Sequence, residues 1–170
     1  MKNAFWNFLA RFIGTRPALA DRIINKAQQN FYSTLYKLDK RVYMDRWWLM
    51  PRWLLGRDEK DQLYPFSWLS FIVRIHHIQL PDDERDLHDH PADYRTIILR
   101  GWYVEENIYG ERFLRQQGET VCARAENFHT IVQISEGGVW TLFMLRKKRN
   151  EWGFLVNGRK IPWRKYEVRK

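Results

Sequence analysis

Residues 88–94 read His88-Asp89-His90-Pro91-Ala92-Asp93-Tyr94. Two histidines in this stretch are separated by one residue, and on an extended strand that spacing places both imidazoles on the same face. Neutral imidazole is the commonest nitrogen ligand of metal ions in proteins, so the pair supplies half of a metal site. The stretch therefore predicts a β-structured protein in which an extended segment carries two metal ligands.

A third histidine, His129, completes the predicted site. The chain has five histidines, and three of them fall in this arrangement. We predict that His88, His90 and His129 are the metal ligands. Three imidazoles on one side of an ion leave its other coordination positions open to water or a substrate. Two alternatives remain open from the residues alone: a metal site that only binds or stabilises, and three ordinary histidines without a metal.

The composition is that of one folded domain. The chain has 170 residues, of which 45% are apolar and 16% aromatic, enough for a packed core and against wholesale disorder. A single cysteine, Cys122, excludes an internal disulfide and fits a reducing compartment. Residues 1–14 lack the features of a secretory signal, and no apolar run has the length of a transmembrane helix. We expect a cytoplasmic protein.

The formal net charge of +9 is unevenly distributed along the chain. Residues 65–141, which hold the three histidines, are acidic, whereas the segments on either side are basic. Basic flanks attract nucleic acid or an anionic membrane surface, and the cluster Lys147-Lys148-Arg149 is followed by tryptophans that could stack on bases. Nucleic-acid association is therefore an alternative, but a solvated basic surface is the interpretation we favour.

Two amphipathic helices are predicted before the strands. Residues 3–13 place Phe5, Leu9 and Phe12 at helical spacing. We expect a helical segment over residues 1–41 that packs on a β domain over residues 42–170; a membrane, a partner protein or a second copy in a homodimer is the alternative. Residues 18–38 carry apolar side chains mostly at four-residue steps, at Leu19, Ile23, Ala27, Phe31, Leu35 and Leu38.

The rest of the chain reads as short strands separated by turns. Residues 42–55 are aromatic and contain Pro51, which favours a short strand or an arm over a helix. Asn157-Gly158 predicts a hairpin near the end of the chain. A series of short strands separated by turns is typical of a β-sandwich or barrel. The strand over residues 96–105 is predicted to be interrupted at Gly101. Further strands are predicted over residues 68–80, 112–115, 120–125, 130–134 and 139–146.

The spacing of the histidines and glycines resembles the cupin superfamily. Its first motif, G-x5-H-x-H-x3,4-E-x6-G, is matched by His88, His90 and Gly101. Its second motif, G-x5-P-x-G-x2-H-x3-N, is matched by Gly118 and His129. The resemblance extends to small bacterial and phage cupins and implies a mainly β, jelly-roll sandwich or barrel that holds a divalent metal ion.

The chain departs from the family at the fourth ligand. Tyr94 stands where cupins carry a metal-binding glutamate, and Asp93 lies one residue earlier. The resemblance, which covers roughly residues 66–146, therefore implies a three-histidine site of the kind found in thiol dioxygenases. Other positions also differ from the motifs, namely Asp82, Arg124, Glu126 and Gln133.

The resemblance implies a small-molecule oxidoreductase, with an Fe(II) dioxygenase favoured and zinc, nickel, manganese or copper as other suitable metals. Tyr94 or Asp93 would be the catalytic proton donor or acceptor. His77 shares its strand face with the apolar Ile75, so we predict that it points into the pocket and binds substrate, together with Arg95. The alternative is a non-catalytic metal- or ligand-binding cupin with a regulatory or structural role.

Overall fold

The computed structural model describes residues 2–37, 39–82, 86–146 and 150–166. Two helices precede a series of strands, with short 3-10 turns at Arg52–Leu54 and Trp163–Lys165. The helices and strands are α1 (Lys2–Gly14), α2 (Pro17–Gln28), β1 (Phe31–Tyr36), β2 (Val42–Trp48), β3 (Leu55–Arg57), β4 (Leu63–Pro65), β5 (Phe71–Ile78), β6 (Tyr94–Arg100), β7 (Trp102–Asn107), β8 (Arg112–Gln116), β9 (Thr120–Ala123), β10 (His129–Ile134), β11 (Val139–Arg146), β12 (Gly153–Val156) and β13 (Arg159–Pro162).

The strands form two main antiparallel sheets. The larger has six strands in the order β1-β2-β5-β11-β6-β9, and the smaller has three in the order β10-β7-β8. Two hairpins, β3-β4 and β12-β13, complete the described strands. The second of these turns at Asn157-Gly158, as the sequence predicts. The predicted fold class, a mainly β structure of sandwich type preceded by N-terminal helices, is confirmed.

Strand β6 shows how the layers are stacked, because both of its faces are buried. Ile97 and Leu99 point to one side, where they pack with α1 and α2. Ile98 points to the other side and packs with Tyr103 and Ile131 of the smaller sheet. The six-stranded sheet therefore lies between the helices and the three-stranded sheet, and the chain's apolar residues fill both interfaces.

The chain passes from the larger sheet to the smaller one at Gly101. This residue has a φ of +78°, a conformation that L side chains rarely adopt. A Cβ atom here would also lie 2.5 Å from Oγ of Ser135 and 2.7 Å from the carbonyl oxygen of Gly138. The predicted break between the strands on either side of Gly101 is thus confirmed, with both a backbone and a packing reason for glycine.

The prediction of one helix over residues 18–38 is wrong beyond Gln28. Residues 31–36 instead form the edge strand β1, which pairs with β2. The segment is rich in aromatic and β-branched residues, which favour a strand, and its four-residue apolar spacing is coincidental. Leu38 lies outside the described residues. The division of the chain at residue 41 stays a prediction, although β1 precedes that residue and pairs with a strand that follows it.

The buried faces of the helices also differ from the predicted stripes. Helix α2 buries Ala20, Ile24 and Ala27, while the predicted Leu19 and Ile23 are only partly buried beside them. Helix α1 buries Ala10 and Ile13, whereas three of its aromatic residues, Phe5, Phe8 and Phe12, are exposed. Small alanines let the helices approach the sheet closely, so the larger side chains lie at the rim. No helix among the described residues has the length and apolar character needed to cross a membrane.

Candidate metal centre

The segment around His88 is held in an extended conformation by backbone hydrogen bonds. His88 and His129 exchange two of them, each N–H donating to the other's carbonyl oxygen over 2.9 Å. The N–H of His90 donates to the carbonyl oxygen of Ala125 over 3.0 Å. Because β10 begins at His129, this pairing brings the third histidine directly opposite the first.

Asp89 faces away from the two histidines and fixes the segment from the other side. Its side chain is only 1% exposed. One carboxylate oxygen accepts a hydrogen bond of 2.7 Å from the N–H of Gly153, and the other forms an ion pair with Lys160. A buried carboxylate is stable only when it is paired in this way. The alternation of a strand thus directs the Asp89 carboxylate to the β12-β13 hairpin and the rings of His88 and His90 to the histidine cluster.

The three predicted ligands converge. One ring nitrogen from each of His88, His90 and His129 lies within 4.8 Å of the other two, and Nε2 of His90 lies 2.8 Å from Nε2 of His129. Two nitrogens bound at about 2.1 Å to one ion at a right angle would be about 3 Å apart. The three predicted ligands therefore lie together in the structure, and the cluster supports the binding of a divalent metal ion.

Two carboxylates lie behind the cluster, and the sequence reasoning missed both. Glu105 is within hydrogen-bonding distance of its histidine and orients the ring, whereas Asp82 acts on its histidine only through its charge. Oε2 of Glu105 lies 3.3 Å from Nδ1 of His129, and Oδ2 of Asp82 lies 3.8 Å from Nδ1 of His88. A carboxylate on one ring nitrogen favours a proton there and leaves the opposite nitrogen free for a metal. The available sequence signal was strand parity, since Glu105 is two residues from Tyr103 and shares its buried face of β7.

The pocket holds the imidazoles of His88 and His90 in the neutral form that binds metals. Burial lowers the pKa of His88 to about 4, against the opposing effect of Asp82. Burial, followed by the neighbouring His129 and His88, lowers the pKa of His90 well below its usual value. Burial alone would raise the pKa of Glu105, but the hydrogen bond and charge of His129, with Arg115, lower it. Near neutral pH the site therefore combines the neutral imidazoles of His88 and His90 with an ionised carboxylate at Glu105.

Tyr94 and Asp93 point to different sides of the chain, as adjacent strand residues do. The buried phenol oxygen of Tyr94 lies 3.4 Å from Nε2 of His129, and burial raises the pKa of Tyr94 well above its usual value. The carboxylate of Asp93 instead accepts a hydrogen bond of 2.9 Å from the N–H of Ala125. The structure brings Tyr94, and not Asp93, to the histidine cluster.

The histidines lie in the wall of a cavity of about 260 Å³ between the two sheets. Strand β5 lines it with Arg74, His76 and Ile78, so the predicted face of this strand is wrong. His77 lies on the opposite face, where its ring stacks on Trp140 with centroids 4.1 Å apart. Ile75 on that face packs with the helices. Because the helices cover the outer face of the sheet, its apolar residues are buried there and the polar residues face inward.

Arg95 also lies outside the cavity. Its guanidinium donates hydrogen bonds of 3.3 Å to Thr120 and to Asn3 of α1, and it lies over the ring of Trp6. The structure therefore places neither His77 nor Arg95, the two predicted substrate-binding residues, in the cavity wall. The polar residues that do line it on the large sheet include Arg46, Arg74 and His76.

Comparisons with known proteins give structural neighbours only. No family model matches the chain, and no match is found among curated proteins. Similar solved structures include DMSP lyase DddQ from Ruegeria pomeroyi (14% identity, TM-score 0.45, covering 67% of this chain and 52% of that one). Another is the Fe(II) form of HppE, with 10% identity and a TM-score of 0.48, which covers 66% of this chain and 54% of that one. A third is a cupin-like protein from Thermotoga maritima, with 10% identity and a TM-score of 0.42, which covers 69% of this chain and 79% of that one. The chain thus spans about half the length of the first two.

Proposed function

We propose that this protein binds a divalent metal ion on His88, His90 and His129 and uses it in oxidoreduction of a small molecule held in the adjoining cavity. The observation that carries the proposal is the convergence of three ring nitrogens within 4.8 Å in the cavity wall. Each ligand comes from the same side, which leaves the cavity side of the ion for a substrate.

Imidazole ligands suit iron, zinc, nickel and copper, so the ligand set by itself does not choose the metal. We favour Fe(II) because the sequence resembles three-histidine cupins, including thiol dioxygenases. When bound, such an ion would supply redox chemistry and open coordination positions. The cavity, with a volume of about 260 Å³, lies just below the range of about 300–1,000 Å³ that is typical for drug-sized ligands, which supports a small substrate.

The protein's own groups would orient the substrate and hold a proton beside it. Apolar side chains such as Phe143, Leu145 and Ile131 line the cavity and would exclude water from it. The phenol of Tyr94 stays protonated because of its raised pKa, so it can donate a hydrogen bond to a group bound beside His129. Asp93 remains a second candidate for proton transfer, but only after a movement that would release it from Ala125.

The principal alternative is a non-catalytic protein that binds a metal or a small ligand in a regulatory or structural role. Nucleic-acid association through the basic flanks is a third proposal without support from the described residues, because Lys147-Lys148-Arg149 lies outside them. A homodimer is likewise untested. The non-catalytic and nucleic-acid alternatives predict no turnover at the histidine cluster, and this separates them from the favoured function.

The test begins with protein purified without an affinity tag, whose metal content is determined by elemental analysis. The metal-free protein is then loaded with Fe(II), Zn(II), Ni(II), Mn(II) or Cu(II), and oxygen uptake is screened against small organic compounds. The proposal expects uptake that depends on one compound class and one metal, and that is lost in His129→Ala. Bound metal without turnover in any combination would favour the non-catalytic alternative.

A further inference from the structure

One wall of the cavity carries three basic side chains on adjacent strands. Arg46 on β2 and His76 on β5 are directly opposite each other in the antiparallel pair. Arg74 lies two residues before His76, on the same face of β5. All three line the cavity that also contains the histidine cluster. The sheet therefore places two guanidinium groups and an imidazole within reach of the same ligand.

These groups lack partners that buried polar groups normally have. The guanidinium of Arg74 makes no hydrogen bond to the described residues, and its Nε atom is buried. The same is true of Nε2 of His76, a residue that is only 7% exposed. Arg46 donates one hydrogen bond of 3.0 Å to Oγ of Ser33. No carboxylate among the described residues pairs with any of the three, so the two guanidinium charges are not neutralised by the described part of the chain.

Aromatic rings hold the guanidinium groups in place. The Cζ atom of Arg74 lies 4.4 Å from the ring centroid of Trp48 and 4.7 Å from that of Tyr32. Arg46 stacks on the same tyrosine at 4.9 Å. Stacking fixes the plane of a guanidinium and leaves its edge donors unoccupied, and that edge matches the two oxygens of a carboxylate. The arrangement is thus organised for an anion before any anion binds.

The electrostatics of this wall agree with the geometry. Burial, and then the proximity of Arg46, lower the pKa of Arg74 to about 10, so it remains charged near neutral pH. Burial and the charges of Arg74 and Arg46 lower the pKa of His76 well below its usual value. Two like charges on adjacent strands repel each other, and an anion between them would remove that repulsion.

The basic wall is close to the histidine cluster. The ring of Phe143 lies 4.7 Å from the ring of His76 and 6.0 Å from the ring of His90, measured between centroids. One phenyl ring thus separates the basic groups from a predicted metal ligand. A small molecule lying along Phe143 would contact the arginines at one end and the histidine cluster at the other.

We propose that Arg46, Arg74 and His76 form an anion-binding subsite, and that the ligand of the cavity is a small organic anion whose oxyanion group binds there. Its other end would then face His88, His90 and His129. The part of the proposal that concerns the reacting end rests on the proposed function. The subsite itself does not, because none of its three residues is a predicted metal ligand.

The test uses metal-free full-length protein, so that a carboxylate has no metal ion to bind. Butanoate is compared with butanamide, which has nearly the same shape but no charge, by isothermal titration calorimetry. We expect butanoate to bind at least about tenfold more tightly, the effect of one or two charge-assisted hydrogen bonds. Inorganic phosphate and methanesulfonate, tested in the same way, identify which oxyanion geometry the subsite prefers.

Variants locate the binding. We expect Arg74→Met to weaken butanoate binding by about tenfold or more and to leave butanamide binding unchanged, and Arg74→Lys to give an intermediate loss because lysine lacks the planar fork. Arg112→Met is the matched control, since Arg112 is exposed and pairs with Glu106 away from the cavity. Should Arg74→Met fail to fold, the Nε–H resonance of Arg74 in the wild-type protein must shift with butanoate and not with butanamide.

Equal affinity for butanoate and butanamide would overturn the proposal, as would an unchanged butanoate affinity in Arg74→Met and Arg74→Lys. The two proposals fail separately. A protein that holds no metal but prefers butanoate through Arg74 keeps the anion subsite and loses the metal function. A protein that holds metal on its histidines but shows no preference for the anion loses only the subsite.

Discussion

The imidazole of His129 and the carboxylate of Glu105 form a largely buried pair, in which Nδ1 lies 3.3 Å from Oε2. Glu105 is itself held by Arg115, whose guanidinium is 2.6 Å from the other carboxylate oxygen. The chain of contacts from Arg115 through Glu105 to His129 fixes the ring from behind. Its opposite nitrogen, Nε2, is thereby directed at His90.

Glu105→Gln should weaken metal binding by about 10–100-fold, the usual effect of losing such a carboxylate partner. The amide keeps the size of the side chain but no longer stabilises a proton on Nδ1 of His129 by its charge. Glu106→Gln is the matched control, because Glu106 faces the other way and pairs with Arg112. A competition titration with a coloured chelator measures the metal affinity of both variants. Equal metal affinities in the two variants would show that Glu105 does not support metal binding.

Tyr94→Phe should leave the metal content unchanged, because a phenol with a raised pKa stays protonated and is a poor ligand. Turnover with the compound found in the oxygen-uptake screen should fall by about 10²–10⁴-fold, if the phenol donates a proton or hydrogen bond. Tyr109→Phe, at a position where the ring is 84% exposed, is the control. Loss of metal from Tyr94→Phe would mean that the coordination shell is assigned wrongly.

The metal-free protein should lose stability as the pH falls below about 6.5, the ordinary histidine pKa. His76 and His90 have folded pKa values well below that value, and the folded pKa of His88 is about 4. Below pH 6.5 the unfolded chain therefore binds protons that the folded chain does not, and the free energy of unfolding decreases towards pH 4 by about 1.4 kcal/mol per pH unit for each such histidine.

Urea denaturation of the metal-free protein at several pH values between 7.5 and 4.5 checks this dependence, with midpoints and slopes fitted at each pH. His76→Gln removes one of the three groups, so its stability should fall less steeply with decreasing pH. A free energy of unfolding that is constant between pH 7 and pH 5 would show that these imidazoles are not held neutral in the folded protein.

Lys160→Met should destabilise the protein by about 3 kcal/mol, because it leaves the buried carboxylate of Asp89 without its cation. The remaining hydrogen bond from Gly153 limits the loss. Arg112→Met, which breaks an exposed ion pair, should change the free energy of unfolding by less than about 1 kcal/mol. Chemical denaturation gives the free energy of unfolding of both variants. Equal values would contradict the claim that the buried pair of Asp89 and Lys160 stabilises the segment that carries His88 and His90.

The histidine cluster was predictable because two short-range patterns carry it. His88 and His90 share a strand face by parity alone, and the glycine spacing relates that strand to the one that begins at His129. The corner at Gly101 and the terminal hairpin at Asn157-Gly158 were predictable for a similar reason, since each depends on the conformational freedom of particular turn residues.

The face of β5 was not predictable from its sequence, because both faces are covered. Apolar Val73 and Ile75 pack against helices, whereas the inward face carries Arg74 and His76. An apolar alternation identifies the buried face only when the other face meets solvent. The site residues Glu105 and Asp82 were missed because their role depends on contacts between strands distant in sequence. The helix predicted over residues 18–38 was wrong beyond Gln28 because that prediction relied on the four-residue apolar spacing. In the protein the β-forming composition of residues 31–36 prevails, and they form a strand.

The central claim is that three histidines hold one divalent metal ion, and the most direct test is the metal content of three proteins purified in the same way without an affinity tag. The wild-type protein and His77→Ala, whose ring stacks on Trp140 outside the cavity, should each contain about one divalent ion per chain, and His129→Ala should contain less than about one tenth of that. Metal retained in His129→Ala, or absent from the wild-type protein after incubation with each candidate ion, would contradict the account.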